Sequence, residues 1–202
     1  MLYSFIGYYS LIFGLVVSFP IFYYSIINFR NQKQLDIKLI NLSFIQLFLV
    51  LISFFSLILS FVFSDFSNET VFNNSHTTKP LFYKITGTWG NHEGSLLLWL
   101  LVLTLFIFVF LIRTKNLQKN YRILTSLFQQ IIIIGFFVFL IKTSNPFNYV
   151  YPIPNEGLGL NPILQDPALA IHPPILYLGY VGTSIIFSSV LAATTLNYIS
   201  KS

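Results

Sequence analysis

The sequence predicts an all-α integral membrane protein with five transmembrane helices, an amino terminus outside and two long loops on the outer face. Hydrophobic residues make up 55% of the 202 residues and charged residues only 8%. A soluble domain carries about 25% charged residues. The high mean hydropathy of +0.74 also indicates a membrane protein. So few charges cannot cover a globular surface, which excludes a soluble protein and leaves the lipid membrane as the surroundings.

Five apolar segments are each long enough to cross a bilayer core of about 30 Å, which takes roughly 20 helical residues. They cover 4–27, 39–63, 95–112, 123–141 and 174–199 of what we expect to be a single membrane domain, 1–202. The first is not a cleavable signal peptide, because no basic region precedes it and it is too long. The two longest connections are 64–94 and 142–173.

Basic residues divide the connections into two sets. Eight share one predicted side: Arg30, Lys33, Lys38, Arg113, Lys115, Lys119, Arg122 and Lys201. The positive-inside rule places these on the cytoplasmic or matrix side, so both long loops face the periplasm or intermembrane space. The net charge of +5 indicates no nucleic-acid partner, because the charges lie in short loops between apolar runs. Loops of about 30 residues are long for a helix connection and indicate function.

Polar residues inside the apolar segments predict contacts between helices. Amide side chains are expected to hydrogen-bond across helix interfaces, and small residues of the fifth segment are expected to pack closely against a neighbour. The amides are Asn41, Gln46, Gln129 and Gln130, and the small residues are Gly179, Gly182, Ser184 and Ser188.

His172 lies where the second long loop meets the fifth apolar segment, and Pro173 and Pro174 follow it. A residue before proline favours extended backbone, and proline suits the first turn of a helix. We therefore expect the proline pair to begin the helix and to hold His172 just outside it, at the membrane surface. A neutral imidazole there is suited to be the axial ligand of a flat cofactor. The alternative is an ordinary surface or hydrogen-bonding histidine, which is commoner for a lone loop histidine.

The first long loop ends in the stretch WGNHEGSLLLW, which contains both tryptophans, Trp89 and Trp99. Tryptophans near a membrane surface are also typical of an aromatic belt, and this alternative stays open. Ser95 is expected to be the N-cap of the third spanning helix. His92-Glu93 lacks the second histidine of a zinc-protease motif, which excludes that site.

Glu93 is expected at the mouth of the third spanning helix. A carboxylate there needs a partner, for which Lys84, His92 or a group of the substrate are candidates. The chain has no cysteine, so any thiol in its chemistry comes from a partner.

Two stretches carry a resemblance to a known family. Residues 88–99, TWGNHEGSLLLW, and 159–182, GLNPILQDPALAIHPPILYLGYVG, closely resemble the CcmF type of cytochrome c haem lyase membrane subunit of maturation system I. The neighbouring LFYKITG and SNPF fit the same pattern. The likeness covers the whole chain in topology and about a third of it as motif.

The resemblance implies a subunit of a haem lyase, which attaches haem covalently to the Cys-x-x-Cys-His of apocytochrome c on the outer face. His172 matches one of the histidines that ligate the haem iron, and the haem is of type b, shared with partner chains. The matching stretches also imply a haem or apocytochrome platform of Trp89, His92, Glu93, Trp99, Asn161, Gln165, Asp166, Pro173 and Pro174. Asp166 and Gln165 are expected either to orient His172 or to cap the loop.

The chain departs from the family pattern in what it lacks. A tryptophan-rich outer segment, a second outer histidine ligand and an inner histidine pair have no match. The resemblance therefore implies the amino-terminal piece of a split member, inactive alone, with partner pieces that supply these groups. Other implied partners are a haem carrier chaperone, apocytochrome c and its thiol-reducing partner. The 23 phenylalanines indicate an AT-rich, organellar gene, hence the mitochondrial inner membrane, with a bacterial plasma membrane as the alternative.

Two other functions remain open from the sequence. The first is a non-catalytic structural subunit of a larger respiratory or maturation complex. The second is a haem or solute transporter, which is disfavoured because the apolar segments contain few charges.

Overall fold

The computed structural model describes residues 1–31, 37–162 and 165–197, with only the backbone of residues 30 and 31. Lys33, Lys201 and the last residues of the fifth predicted segment lie outside the described residues. Eight α-helices occupy this part of the chain, which contains no strand: α1 Leu2–Asn31, α2 Ile37–Val62, α3 Glu69–Asn74, α4 Leu81–Gly87, α5 His92–Arg113, α6 Lys119–Thr143, α7 Pro167–Tyr180 and α8 Thr183–Leu196.

Five candidate membrane spans are found among the described residues. Helices α1, α2, α5 and α6 provide one each, and α7 with α8 provides the fifth. The predicted all-helical class and the five spans are confirmed. The outward direction of the amino terminus stays a prediction, as does the division of the chain into one domain.

Glycines in α1 let aromatic rings approach the helix axis. An added Cβ at Gly7 would lie 2.3 Å from the Phe147 ring, and one at Gly14 would lie 2.8 Å from the Phe137 ring. Both rings are fully buried. Helix α1 therefore packs directly against α6 and the segment that follows it, and α2 and α5 complete the bundle around the same apolar core.

Hydrogen bonds between amides and hydroxyls join the spans, as predicted for two of the four amides. Gln46 Nε2 donates to Ser18 Oγ at 2.7 Å, which links α2 to α1. Gln129 donates to Ser184 Oγ at 3.0 Å and accepts from Ser188 Oγ at 2.8 Å, which links α6 to α8.

The prediction fails for the other two amides and for one glycine. Asn41 is exposed, and the buried amide of Gln130 has no hydrogen-bond partner among the described residues. Gly179 faces open space, whereas Gly182 packs against Phe106.

The fifth span begins seven residues earlier than predicted, at Pro167 instead of residue 174, and it is broken at Val181 and Gly182. His172 and the proline pair therefore lie inside α7, and the expected extended segment at His172 is wrong. The physical reason is that Asp166 and Pro167 supply a stronger helix start: a capping carboxylate followed by proline at the first helical position. The second predicted loop accordingly ends at residue 166.

The two glycine contacts of α1 give a stability prediction. We expect Gly14→Ala to lower the free energy of unfolding by about 1–3 kcal/mol, because the buried Phe137 ring has to move. Gly135→Ala in α6 is the matched control, because nothing lies within 4 Å of its added Cβ. The control should be neutral or slightly stabilising. Thermal unfolding in detergent measures both, and equal behaviour of the two variants would contradict this packing.

Candidate functional site

The two long connections dock on each other at one end of the bundle, which we call the loop end (residues 64–91, 144–162 and 165–166). Four backbone hydrogen bonds between described residues join them, two at each of two places: Glu69 N to Asn148 O at 2.9 Å and Val150 N to Ser67 O at 3.0 Å, then Leu158 N to Phe72 O at 2.8 Å and Gly159 N to Ser75 O at 3.0 Å. An added Cβ at Gly157 would lie 2.1 Å from Ser75 O, so only glycine permits this approach. The loops thus form one structured layer that includes α3 and α4.

Glu156 is the charged contact between the two connections. Its carboxylate accepts hydrogen bonds from Thr77 N at 2.9 Å and Thr77 Oγ1 at 2.5 Å, and His76 Nε2 lies 3.8 Å away. The hydrogen bonds from Thr77, chiefly that from its hydroxyl, lower the pKa of Glu156 to about 2 from its ordinary value of 4.5. The ionised carboxylate therefore favours the docked loops.

A buried lysine stabilises the first connection. Lys79 Nζ donates to the carbonyl of Asn74, which ends α3, at 2.9 Å. Burial, and to a smaller extent the positive charge of the neighbouring Lys84, lower the pKa of Lys79 to about 8. Lys84 itself donates to Ser64 Oγ at 2.8 Å, so it is engaged there and forms no ion pair with Glu93 among the described residues.

Helix α5 begins at His92, because Asn91 is its N-cap: the Asn91 side chain accepts from Gly94 N at 2.7 Å. The prediction of Ser95 as N-cap is wrong, and the hydroxyl of Ser95 donates to His92 O instead. An added Cβ at Gly94 would lie 1.6 Å from Thr88 O, so this turn requires glycine. His92 and Glu93 consequently lie in the first helical turn and not in a loop.

Asp166 caps α7 by accepting from Ala168 N at 2.8 Å and Leu169 N at 3.0 Å. Gln165 donates from its side chain to Leu160 O at 3.1 Å. Asp166 and Gln165 are expected from the sequence either to orient His172 or to cap the loop, and these contacts correspond to the second role. Asn161 is exposed in the segment that leads to this turn.

Trp89 joins the two stretches that the sequence singles out. Its indole Nε1 donates to Ala170 O in α7 at 2.8 Å, and its ring stacks on Phe54 of α2 at 6.4 Å between centroids. Trp89, two residues after the end of α4, thus contacts both α2 and α7.

A cavity of about 310 Å³ opens at this junction. From the predicted site residues it brings together Trp89, His92 and Pro173. Sequence reasoning missed the rest of its lining: Thr86, Gly90, Asn91, Ser95, Leu160, Leu169, Ala170 and Tyr177. The helical period from Pro173 indicates Tyr177, whereas no sequence pattern indicates Leu160, which comes from an irregular segment.

His172 does not line that cavity. Leu169, Pro173 and Tyr177 turn one face of α7 to the cavity, and His172 lies on a neighbouring face with Leu176. The imidazole is exposed and makes no hydrogen bond to any described residue. Gly179, one turn beyond Leu176 on this face, has no atom within 4 Å of an added Cβ. This face of α7 is therefore open beside the imidazole.

Three other predicted residues do not line the junction cavity. The Trp99 ring packs on Phe136 of α6 at 5.8 Å and on Tyr177 of α7 at 5.4 Å. Glu93 lines a separate polar cavity of about 170 Å³ beside Glu69. Pro174 lies in α7 outside the lining of the junction cavity.

Comparison with known proteins gives consistent matches. The family model described as "Cytochrome C assembly protein" matches residues 89–201. The protein "Cytochrome c-type biogenesis protein CycK" of Rhizobium meliloti is 50% identical over 153 residues, which are 76% of this chain and 23% of that protein. The protein "Cytochrome c-type biogenesis protein CcmF" of Escherichia coli is 41% identical over 142 residues, 70% of this chain and 22% of that protein.

A solved structure, "Cytochrome c Heme Lyase CcmF", has the same fold, with a TM-score of 0.78 and 22% sequence identity. It covers 98% of this chain, which corresponds to 31% of that one. The matched region is thus less than a third of that structure and less than a quarter of the two relatives above.

The lowered pKa of Glu156 predicts acid-sensitive docking of the two connections. Because the folded pKa lies below the ordinary value, the stabilisation is complete above about pH 4.5 and is lost as the pH falls toward about 2. The protection factors for hydrogen exchange of residues 153–160, corrected for the intrinsic exchange rate at each pH, should fall over that window. Glu156→Gln should show fast exchange already at neutral pH. Glu69→Gln is the control and should keep the acid dependence, because Glu69 joins the second connection through its backbone.

Proposed function

The chain belongs to the cytochrome c assembly protein family, in its CcmF type, and on this premise we propose that it is a subunit of a haem lyase. Its activity is covalent attachment of haem to apocytochrome c on the outer face of the membrane. The chain is inactive alone and contributes one axial ligand and part of the surface on which haem and apocytochrome meet.

The observation that carries this proposal is the position of His172. Its imidazole lies in the first half of a spanning helix near the loop end, exposed and without a hydrogen-bond partner among the described residues. A neutral imidazole is a common ligand of haem iron. The apolar strip that continues from it, Leu176 and Gly179, suits the flat face or edge of a tetrapyrrole. The residues present therefore fit a haem that lies against the outside of α7.

Haem, when bound, supplies the two vinyl groups to which the thiols of apocytochrome c add. The chain itself has no cysteine, so its residues bind and orient and form no thioether themselves. We assign His172 to iron ligation. The junction cavity with Trp89, His92 and Pro173 lies beside the haem or the apocytochrome peptide, and Asp166 and Gln165 hold the start of α7.

Partner chains complete the site in this proposal. Segments equivalent to the rest of the longer relatives supply the tryptophan-rich segment, a second axial histidine and the inner histidine pair. A haem carrier chaperone delivers haem b, and apocytochrome c with its thiol-reducing partner is the acceptor. The phenylalanine-rich composition supports the mitochondrial inner membrane, with the functional loops in the intermembrane space.

Replacement of His172 tests the function. In the assembled complex, we expect His172→Ala to remove the axial-ligand signature from the haem absorbance spectrum and to lower the covalent cytochrome c yield at least about tenfold. His76→Ala is the matched control at the loop end, where its ring bonds to Thr78, and it should keep both. Unchanged yield and spectrum in His172→Ala would favour a structural subunit. Haem flux without thioether formation would favour a transporter.

A further inference from the structure

Helix α7 contains a proline pair in its interior, which creates a specific shortage of backbone donors. The carbonyl of residue 170 normally accepts from the N–H of residue 174 in an α-helix, or from that of residue 173 in a 3₁₀ turn. Both positions are proline and have no N–H. No backbone donor of the helix is therefore available to Ala170 O.

Water is also scarce at this carbonyl, because Ala170 is only 4% exposed. A buried carbonyl without a partner destabilises the fold, because its lost hydration is not compensated. The indole N–H of Trp89 donates to Ala170 O at 2.8 Å and so removes this cost. The indole is itself held in place by its stacking on Phe54 of α2. The tryptophan side chain thus replaces the missing backbone donor at the position where the helix needs one.

This bond lies next to the proposed ligand. Ala170 is two residues before His172, within the same helical turn, and Pro173 follows directly. The direction of the imidazole depends on the geometry of that turn, since the side chain leaves a backbone that the Trp89 bond holds against α2 and α4. We propose that Trp89 is a positioning residue for His172, acting as a substitute backbone donor for α7. This inference rests on the proposed role of His172.

A double-mutant cycle between Trp89 and Pro174 separates this role from general packing. Trp89→Phe keeps an aromatic ring on Phe54 but removes the donor. Pro174→Ala restores a backbone N–H that reaches Ala170 O. We therefore expect Trp89→Phe to accelerate amide hydrogen exchange of residues 171–180 about tenfold, and Pro174→Ala in the same chain to cancel most of this acceleration.

Trp99→Phe is the matched control, because Trp99 contacts the same helix through Tyr177 and Tyr180 by ring packing. Any acceleration it causes should be the same with and without the Pro174→Ala change. Equal acceleration by Trp89→Phe in both backgrounds, or none in either, would overturn the proposal. If Trp89→Phe does not fold, incorporation of the benzothiophene analogue of tryptophan at position 89 removes only the N–H and gives the same test.

The haem spectrum of the assembled complex gives the second readout. Trp89→Phe should shift the electron paramagnetic resonance signature of the His172-ligated haem, and the Trp89→Phe/Pro174→Ala variant should restore it. A shift that Pro174→Ala does not reverse would overturn the positioning role. Hydrogen exchange is measured without reference to haem, so the two hypotheses can fail separately. If Pro174→Ala cancels the exchange effect of Trp89→Phe but His172→Ala leaves the haem spectrum unchanged, the proposed function fails and the role of Trp89 in the helix stands.

Discussion

The hydrogen bond from the Trp89 indole to the Ala170 carbonyl is the contact on which the arrangement around His172 depends. A helix in or near a bilayer has to satisfy its backbone groups within the protein, because hydrocarbon supplies no partner. Two adjacent prolines leave Ala170 O without a helix donor inside α7, and the indole of Trp89 from the first connection supplies one. The two sequence stretches that look independent, one rich in tryptophan and one in proline, are therefore parts of a single physical arrangement.

The connections that surround this contact also satisfy their backbone hydrogen-bonding groups within the protein. They carry their own short helices and pair their backbones with each other, as in the bond from Leu158 N to Phe72 O. Glycines at positions 94 and 157 permit approaches that any Cβ would block, and the Glu156 carboxylate joins one connection to Thr77 of the other. A layer fixed in this way positions the start of both α5 and α7. The charged residues and glycines of the loops thus support the starts of the helices. The candidate ligand, His172, lies in one of these helices, α7.

Much of the fold was predictable because membrane spans need long apolar runs, and all five runs of the sequence coincide with spans of the structure. The start of α7 was not, because the proline pair predicts a helix start as well as Pro167 does. The capping carboxylate of Asp166 decides between them, and only the structure shows its hydrogen bonds to Ala168 and Leu169. The junction cavity was predictable in part: Trp89, His92 and Pro173 lie in unusual sequence, whereas Leu160 reaches the cavity from an irregular segment.

His172 lies outside the junction cavity, and this position determines what a ligand at His172 would require of helix α7. If His172 lined the junction cavity, this chain would enclose the haem of our proposal. The imidazole instead lies on an adjacent face of α7, one residue before Pro173, and is exposed. A ligand that is offered on an exposed helix face needs a rigid helix, because no enclosing pocket corrects its direction. In our proposal the hydrogen bond from Trp89 to Ala170 O makes α7 rigid near the proline pair, so the connection between α4 and α5 supplies the stiffness that an exposed ligand requires.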